Sequence, residues 1–232
     1  MPRKRNDEQH GAMRRKILNA ARQQMQQFGT AGLGMRNIAR ELNLAPSGLY
    51  RYYRDLDAVI TALILEAFTA LAETIEAASH SLPREDYAGR LLAVLLAYRR
   101  WAQEHPIDFQ LIYGNPIPGY QAPTELTLRA ARRGYRVVVE ILDGAVADGS
   151  LLLPLEYQHL PDTVVASFQS VAAAEDYHGV LGVLCLATVG WARIHGFVML
   201  ELFGSIQPLV GDAEAFYRVE LRAMMQQLGF RR

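Results

Sequence analysis

The chain carries one cysteine, Cys185, in 232 residues. A single thiol excludes an intramolecular disulfide and points to a reducing compartment, and its place inside an apolar run reads as a buried, inert group. Long uncharged apolar runs are missing too. The longest, Gly179 to Ala192, falls short of the ~18 residues of a membrane span, and no signal-peptide pattern precedes the first helix. No membrane partner and a cytoplasmic location are expected. The six histidines are scattered, without carboxylate or cysteine at ligand spacing, so no metal is assigned. Glu175, Asp176 and His178 are close together, but the stretch reads as a helix start capped by Asp176. Neither a Gly-x-Ser-x-Gly elbow nor a phosphate-cradling glycine loop occurs. The expectation is no cofactor and no enzyme.

Net charge is also absent, but only by cancellation. Residues 1 to 60 hold 11 Lys/Arg against 5 Asp/Glu, so a basic head of +6 is offset by a remainder of −6. Half of the composition is apolar, which is enough to build one or two cores in a chain of this length.

What is present in quantity is helical periodicity. Met13, Ile17, Ala21, Met25 and Phe28 recur at steps of four and three, with Gly29 as a stop. Ile38 and Leu42 share a face of a second helix. Asn43-Leu44-Ala45 turns the chain, and Pro46 opens a third helix at the position where its missing N–H costs nothing. Leu49 and Tyr53 face inward. Asp55 caps a fourth helix with an apolar stripe from Leu56 to Ile75. Further helices are expected over Arg84 to Glu104, Pro123 to Ala147, Asp162 to Ala174, Tyr177 to Phe203 and Ala213 to Leu228, with stops at Gly149, Gly204 and Gly229. Asn115 to Pro123, with a type II turn at Pro118-Gly119, and Ser150 to Pro161 read as loops. No strand pattern competes. The expected fold is all-α, a three-helix head followed by a larger helical body, divided as 1–56 and 57–232.

The second and third helices are each about two turns long, below the ~12 to 15 residues at which an isolated helix is marginal in water. Two such helices around a tight turn, the second with polar and basic residues outward, is the arrangement that places a helix in the major groove of DNA. Asn43 tolerates a left-handed backbone at the turn, and Ala39 is small enough for close approach. The outward set is Arg36, Asn37, Arg40, Ser47, Gly48, Tyr50, Arg51, Tyr52 and Arg54. The alternative is a helical hairpin with a solvated charged face.

Met35-Arg-Asn-Ile-Ala-Arg-Glu-Leu42, followed after the turn by Leu49-Tyr-Arg-Tyr-Tyr53, resembles the N-terminal domain of TetR-type transcriptional regulators over residues 13 to 68. The resemblance implies a helix-turn-helix head buttressed by the first helix, a recognition helix near Pro46 to Tyr52, and a homodimer on a palindromic duplex operator. It implies that Tyr50 and Tyr52 touch phosphates, that Tyr53 is core, and that Arg36 reaches phosphate or base. Gly34 and Ala45 depart from the usual Ser or Thr caps, and Leu56 from a frequent basic residue. The Pro2-Arg-Lys-Arg5 run is either a flexible arm on the DNA or a solvated tail.

Trp191-Ala-Arg-Ile-His195-Gly196, with Tyr113-Gly-Asn-Pro-Ile-Pro-Gly-Tyr-Gln-Ala-Pro123, is similar to the WHG-type C-terminal domain of some TetR-like regulators. Trp191 and His195 share a helix face, so His195 either offers a polar group beside an aromatic wall or is a satisfied core histidine. Tyr98, Trp101, Phe109, Tyr113 and Tyr120 either line an apolar effector pocket with polar tips or are plain core. Gly179, Gly182 and Gly190 imply close backbone packing, since glycine otherwise costs a helix ~1 kcal/mol. The family resemblance implies that the last two helices form a four-helix bundle joining two subunits. The expectation is a ligand-responsive, homodimeric DNA-binding repressor released by a small apolar effector. The other reading is an all-α binding or assembly protein whose basic head meets a protein partner.

A +6 head duplicated in a dimer displaces many condensed counterions. Affinity for duplex DNA should fall steeply with salt, with a log–log slope of about −0.9 per neutralised phosphate. A titration series between low and physiological salt checks this, and a flat dependence counts against the basic head as the contact surface.

Overall fold

The computed structural model describes residues 2–230, and the backbone alone for residues 2–7. The described residues form helices α1 (Pro2–Phe28), α2 (Met35–Glu41), α3 (Pro46–Leu49), α4 (Leu56–His80), α5 (Tyr87–Glu104), α6 (Pro106–Tyr113), α7 (Thr124–Ala147), α8 (Leu155–Gln158), α9 (Asp162–Ala174), α10 (Leu181–Leu202), α11 (Gln207–Val210) and α12 (Ala213–Leu228). A one-turn 3-10 helix at Thr30–Gly32 joins α1 to α2. The all-α expectation holds. The chain divides into two compact units, residues 1–70 with 105–131, and residues 71–104 with 132–232.

In the first unit, Ile17, Leu18, Ala21 and Met25 of α1, Ile38 and Ala39 of α2, Leu49, Tyr53, and Val59, Ile60, Leu63 and Phe68 of α4 enclose one core. The periodicity that marked these faces is therefore what the core uses. Asp55 caps α4 by accepting from the Ala58 amide at 2.7 Å. A helix that the periodicity did not separate, α6, packs Ile107, Leu111, Ile112 and Tyr113 on the same core. It is also pinned by polar contact, because Arg22 Nε donates to Asp108 at 2.8 Å and Nη2 to Glu66 at 3.2 Å. The loop after α6 turns at Pro118-Gly119 as expected: Gly119 has φ 81°, and the Tyr120 amide donates to the Ile117 carbonyl at 3.1 Å.

The second unit is built on α5, α10 and α12. Leu91, Val94, Tyr98, Val183, Ile194, Val198, Tyr217 and Leu221 are buried among them, with Ile141 and Leu142 of α7. A buried ion pair ties the three helices together. Arg99 Nε and Nη2 donate to the two oxygens of Glu201 at 2.8 and 2.6 Å, and Gln103 Nε2 adds a third bond at 2.9 Å. From α12, the Tyr217 ring lies 5.3 Å from the Arg99 guanidinium, and its hydroxyl donates to the Leu95 carbonyl.

Several element boundaries differ from expectation. Helix α1 begins at Pro2, eleven residues before Met13, so the backbone of Pro2–Arg5 is helical and not an irregular arm; the side chains there lie outside the described residues. Helix α10 begins at Leu181, and Asp176 does not cap it. Asp176 sits at φ 51° just beyond α9, where the Tyr177 amide donates back to the Ala172 carbonyl, so it ends one helix instead of starting the next. Of the three glycines, Gly182 has the close packing expected, its α-carbon facing the Tyr157 carbonyl so closely that a Cβ would lie 2.2 Å from that oxygen. Gly179 is equally crowded, by Tyr177 and Asp143, but in the loop. Gly190 faces open space, so among the described residues no close packing compensates it. Cys185 is half-buried, and desolvation pushes its thiol up, which keeps it protonated.

By length and composition, α4 and α10 are long and apolar enough to cross a membrane. The criterion of an uncharged run missed them because isolated charges interrupt both. Each nevertheless turns an apolar face into its own unit, Val59, Ile60 and Leu63 from α4 and Val183, Ile194 and Val198 from α10.

Glu201→Ala leaves the Arg99 guanidinium buried without its carboxylate. Truncating one partner of such a pair costs about 3 to 5 kcal/mol. Urea unfolding of the variant against wild type measures the loss, and a loss below 1 kcal/mol shows that water or Glu214 takes over the charge.

Candidate nucleic-acid interface

The turn between α2 and α3 has the geometry that asparagine permits. Asn43 lies at φ 53°, its amide donates to the Arg40 carbonyl at 3.2 Å, and the Leu44 amide donates to the Ala39 carbonyl at 2.9 Å. These two bonds satisfy the carbonyls left open at the end of α2. Ala39 beneath them is buried, which gives the second helix room. Helix α3 then starts at Pro46 after an extended Ala45 that provides no side-chain cap, and Gly34 likewise leaves α2 without one. The regular helix ends at Leu49, three residues earlier than expected. Tyr50 to Tyr52 continue as turns, with the Tyr52 and Tyr53 amides both donating to the Leu49 carbonyl. Leu49 at 0 % and Tyr53 at 4 % exposure anchor this short element from below.

The outward residues separate into distinct groups. Arg36, Ser47, Tyr50 and Arg51 are exposed, and Gly48 and Tyr52 are partly so. Nothing lies within 4 Å of the position a Cβ on Gly48 would take, so the middle of the recognition turn has an open face. Asn37 has a local task. Its Nδ2 donates to the Gly32 carbonyl at 3.1 Å and its Oδ1 accepts from Arg40 at 3.2 Å, which holds the uncapped start of α2. Arg54 is exposed and pairs with Asp55 at 2.9 Å.

Two residues beside this surface were not among the candidates. Arg14 Nη1 donates to the Tyr52 carbonyl at 2.9 Å with its guanidinium 4.3 Å from the Tyr53 ring centre, and the His10 ring lies 4.7 Å from that of Tyr52. The available signal was their i, i+4 spacing on a basic stretch, which a helix starting at Met13 conceals.

The seven effector candidates fall in both units. Phe109, Tyr113 and Tyr120 belong to the first. There the Tyr113 ring meets Phe109 at 5.0 Å and Phe68 at 5.8 Å, and the Tyr120 hydroxyl is 3.0 Å from that of Thr61. Tyr98, Trp101, Trp191 and His195 belong to the second. The Tyr98 hydroxyl is 2.7 Å from His195 Nδ1, and the half-buried imidazole stacks on the exposed Trp191 indole at 5.0 Å and 25°. Burial holds His195 below the ordinary histidine value, which favours the neutral ring. Trp101 is buried one turn further along α5 from Tyr98. Among the described residues no cluster of His, Cys, Asp and Glu has metal-site geometry.

A short helix held by two buried anchors, with arginine, hydroxyl and glycine outward on a basic head, defines a helix-turn-helix DNA-binding protein. The comparisons with known proteins carry this further. The pattern described as bacterial regulatory proteins, tetR family, matches residues 17–63. That of the tetracyclin repressor-like C-terminal domain matches residues 91–224, which include both stretches of the second resemblance. The HTH-type transcriptional regulator Rv1816 of Mycobacterium tuberculosis is 30% identical over 189 residues, covering 82% of this chain and 80% of that protein. The crystal structure of putative regulatory protein SCO4313 superposes with a TM-score of 0.75 at 27% identity, covering 94% of this chain and 97% of that one. A protein of unknown function from Rhodococcus sp. RHA1 shares the fold, with a TM-score of 0.70 at 22% identity, covering 93% and 95% of the two chains. The chain belongs to the TetR family of transcriptional regulators.

Because His195 is held below its unfolded value of about 6.5, the unfolded chain binds the extra proton first on acidification. The contribution of neutral His195 to stability is therefore complete above pH ~6.5 and is lost as pH falls below it. Denaturation midpoints between pH 7.5 and pH 5, taken as roughly bracketing that value, should fall less in His195→Gln than in wild type; parallel curves would show that the imidazole charges without cost.

Proposed function

We propose that the protein is a homodimeric repressor that occupies a palindromic operator and is released by a small, largely apolar effector. The observation that carries the reading is the one-turn helix α3, anchored through Leu49 and Tyr53 and presenting Ser47, Gly48, Tyr50 and Arg51 outward from a basic head. In this reading residues 1–56 contact DNA, and residues 57–232 carry the effector and partner surfaces. Tyr50 and Tyr52 bond phosphates, Arg36 reaches phosphate or a base edge, and Arg51 and Arg54 add positive charge. Asn37 acts from behind, by holding α2. A regulator with duplex DNA as its partner works in the cytoplasm.

The homodimer is supported by what α10 and α12 leave uncovered. Val189 and Leu200 of α10, Phe203 just after it, and Phe216 and Val219 of α12 are large apolar side chains exposed at helical spacing. Gly190 and Gly196 open onto free space on α10, which allows another helix to approach closely. For the effector, the Tyr98–His195–Trp191 contact of the second unit, with Trp101 beside it, supplies an aromatic wall with polar tips. Such an effector acts only through its difference in affinity between the DNA-fitting state and the other.

Selection of bound duplexes from a random pool, followed by footprinting, tests the whole reading. The expected result is two half-sites ~34 to 36 Å apart bound by two chains. Tyr50→Phe should weaken binding to all duplexes alike, whereas Arg36→Ala, if it removes a base contact, relaxes one position per half-site by ~1 to 3 kcal/mol. Leu200→Glu with Val219→Glu should yield a folded monomer that loses the two-site footprint. A single half-site bound by one wild-type chain, or no duplex selected at all, removes the proposal. Small molecules screened for release of the selected duplex then identify the effector, and Trp101→Ala and His195→Ala should weaken its binding.

A further inference from the structure

We propose that His10 and Arg14 of α1 are positioning residues for DNA binding, which hold Tyr52 in place at the protein–DNA boundary. The proposal rests on the reading of Tyr52 as a residue that touches the DNA backbone. Both side chains are exposed, and at i, i+4 they lie on one face of α1. The same turns of α1 reach the head's core through Met13 and Ile17, so packing does not require His10 or Arg14.

Their contacts converge on one residue from two sides. Arg14 donates to the Tyr52 carbonyl at 2.9 Å, and His10 sets its ring against the Tyr52 ring at 4.7 Å with 35° between the planes. The Tyr52 carbonyl needs an outside donor because it follows a helix of only four residues, from which the chain departs at once toward α4. The Arg14 guanidinium also covers the buried Tyr53 ring at 4.3 Å, which fixes the neighbouring anchor. Main chain, ring and adjacent anchor of Tyr52 are thus all referred to α1. A phenol that must meet a phosphate oxygen within hydrogen-bond distance gains from this restraint, because less freedom is lost on binding.

The test uses the full chain and a duplex recovered by selection from a random pool. His10→Ala and Arg14→Ala should each weaken affinity by ~5- to 30-fold, the scale of one lost restraint or hydrogen bond. Thermal unfolding should remain cooperative, and Arg14→Lys, which keeps a donor and a cation over Tyr53, should recover most of the loss. The salt slope should stay at its wild-type value, since a positioning residue neutralises no phosphate, whereas a direct contact would reduce it by ~0.9 per head. His10→Ala should have no further effect when added to Tyr52→Ala. Unchanged affinity in His10→Ala, a reduced salt slope, or a His10 loss that persists in the Tyr52→Ala background overturns the proposal. Tyr52→Ala alone binding at wild-type strength shows instead that the backbone reading of Tyr52 has failed, and the proposal falls with it.

Discussion

A four-residue helix has no means of holding itself in water, because nucleation consumes more conformational freedom than one turn of hydrogen bonds returns. Everything around α3 follows from that constraint. Leu49 and Tyr53, one turn apart, sink into the core formed by α1, α2 and α4. The turn before α3 is closed by the left-handed Asn43 and two backbone bonds, and the turn after it is tied to α1 through Arg14. The exposed surface is left to residues that contribute little to folding, which leaves arginine, glycine and tyrosine there free for the DNA contact proposed above.

Charge is arranged around the same division of labour. In the first unit, Arg22 is spent on Asp108 and Glu66, whereas Arg36 and Arg51 stand outward. In the second, carboxylates are used inside: Glu201 is buried on Arg99, Glu175 receives Arg132 and Arg136, and Glu76 takes Arg133. Several of this unit's acids therefore act as structural partners of arginines. In the proposed reading the head keeps its arginines outward where it would meet DNA, whereas in the second unit arginines and carboxylates pair where helices must be registered.

The head was legible because each of its devices is local. Apolar spacing marked α1, α2 and α4, proline marked the start of α3, and Asn43 marked the turn. Tyr50 and Tyr52 were placed outward, and Leu49 and Tyr53 inward, by spacing, and the resemblance added only the phosphate role of the first two. Periodicity missed the one-turn helices α8, inside the segment read as a loop, and α11, and it also missed α6. Its eight residues are too few to show a period, and its role depends on packing against α1 and α4, which are distant in sequence. Asp176 was misjudged for a related reason. An aspartate beside a helix boundary serves equally as the cap of the next helix or, in a left-handed conformation, as the end of the previous one, and only the path of the chain between α9 and α10 decides.

The sequence by itself determined the all-α class and the helix-turn-helix, which rest on spacings of three and four residues and on local turn chemistry, and the basic head, which rests on a charge count; the family entered through the resemblance of its motifs. Tertiary structure alone decided that Phe109, Tyr113 and Tyr120 pack with the head while Tyr98, Trp191 and His195 meet in the other unit. It also decided that Arg99 finds Glu201 about a hundred residues away, and that α1 reaches Tyr52. Contacts between residues far apart along the chain leave no period in the sequence; they exist only once the helices that carry them have been packed together.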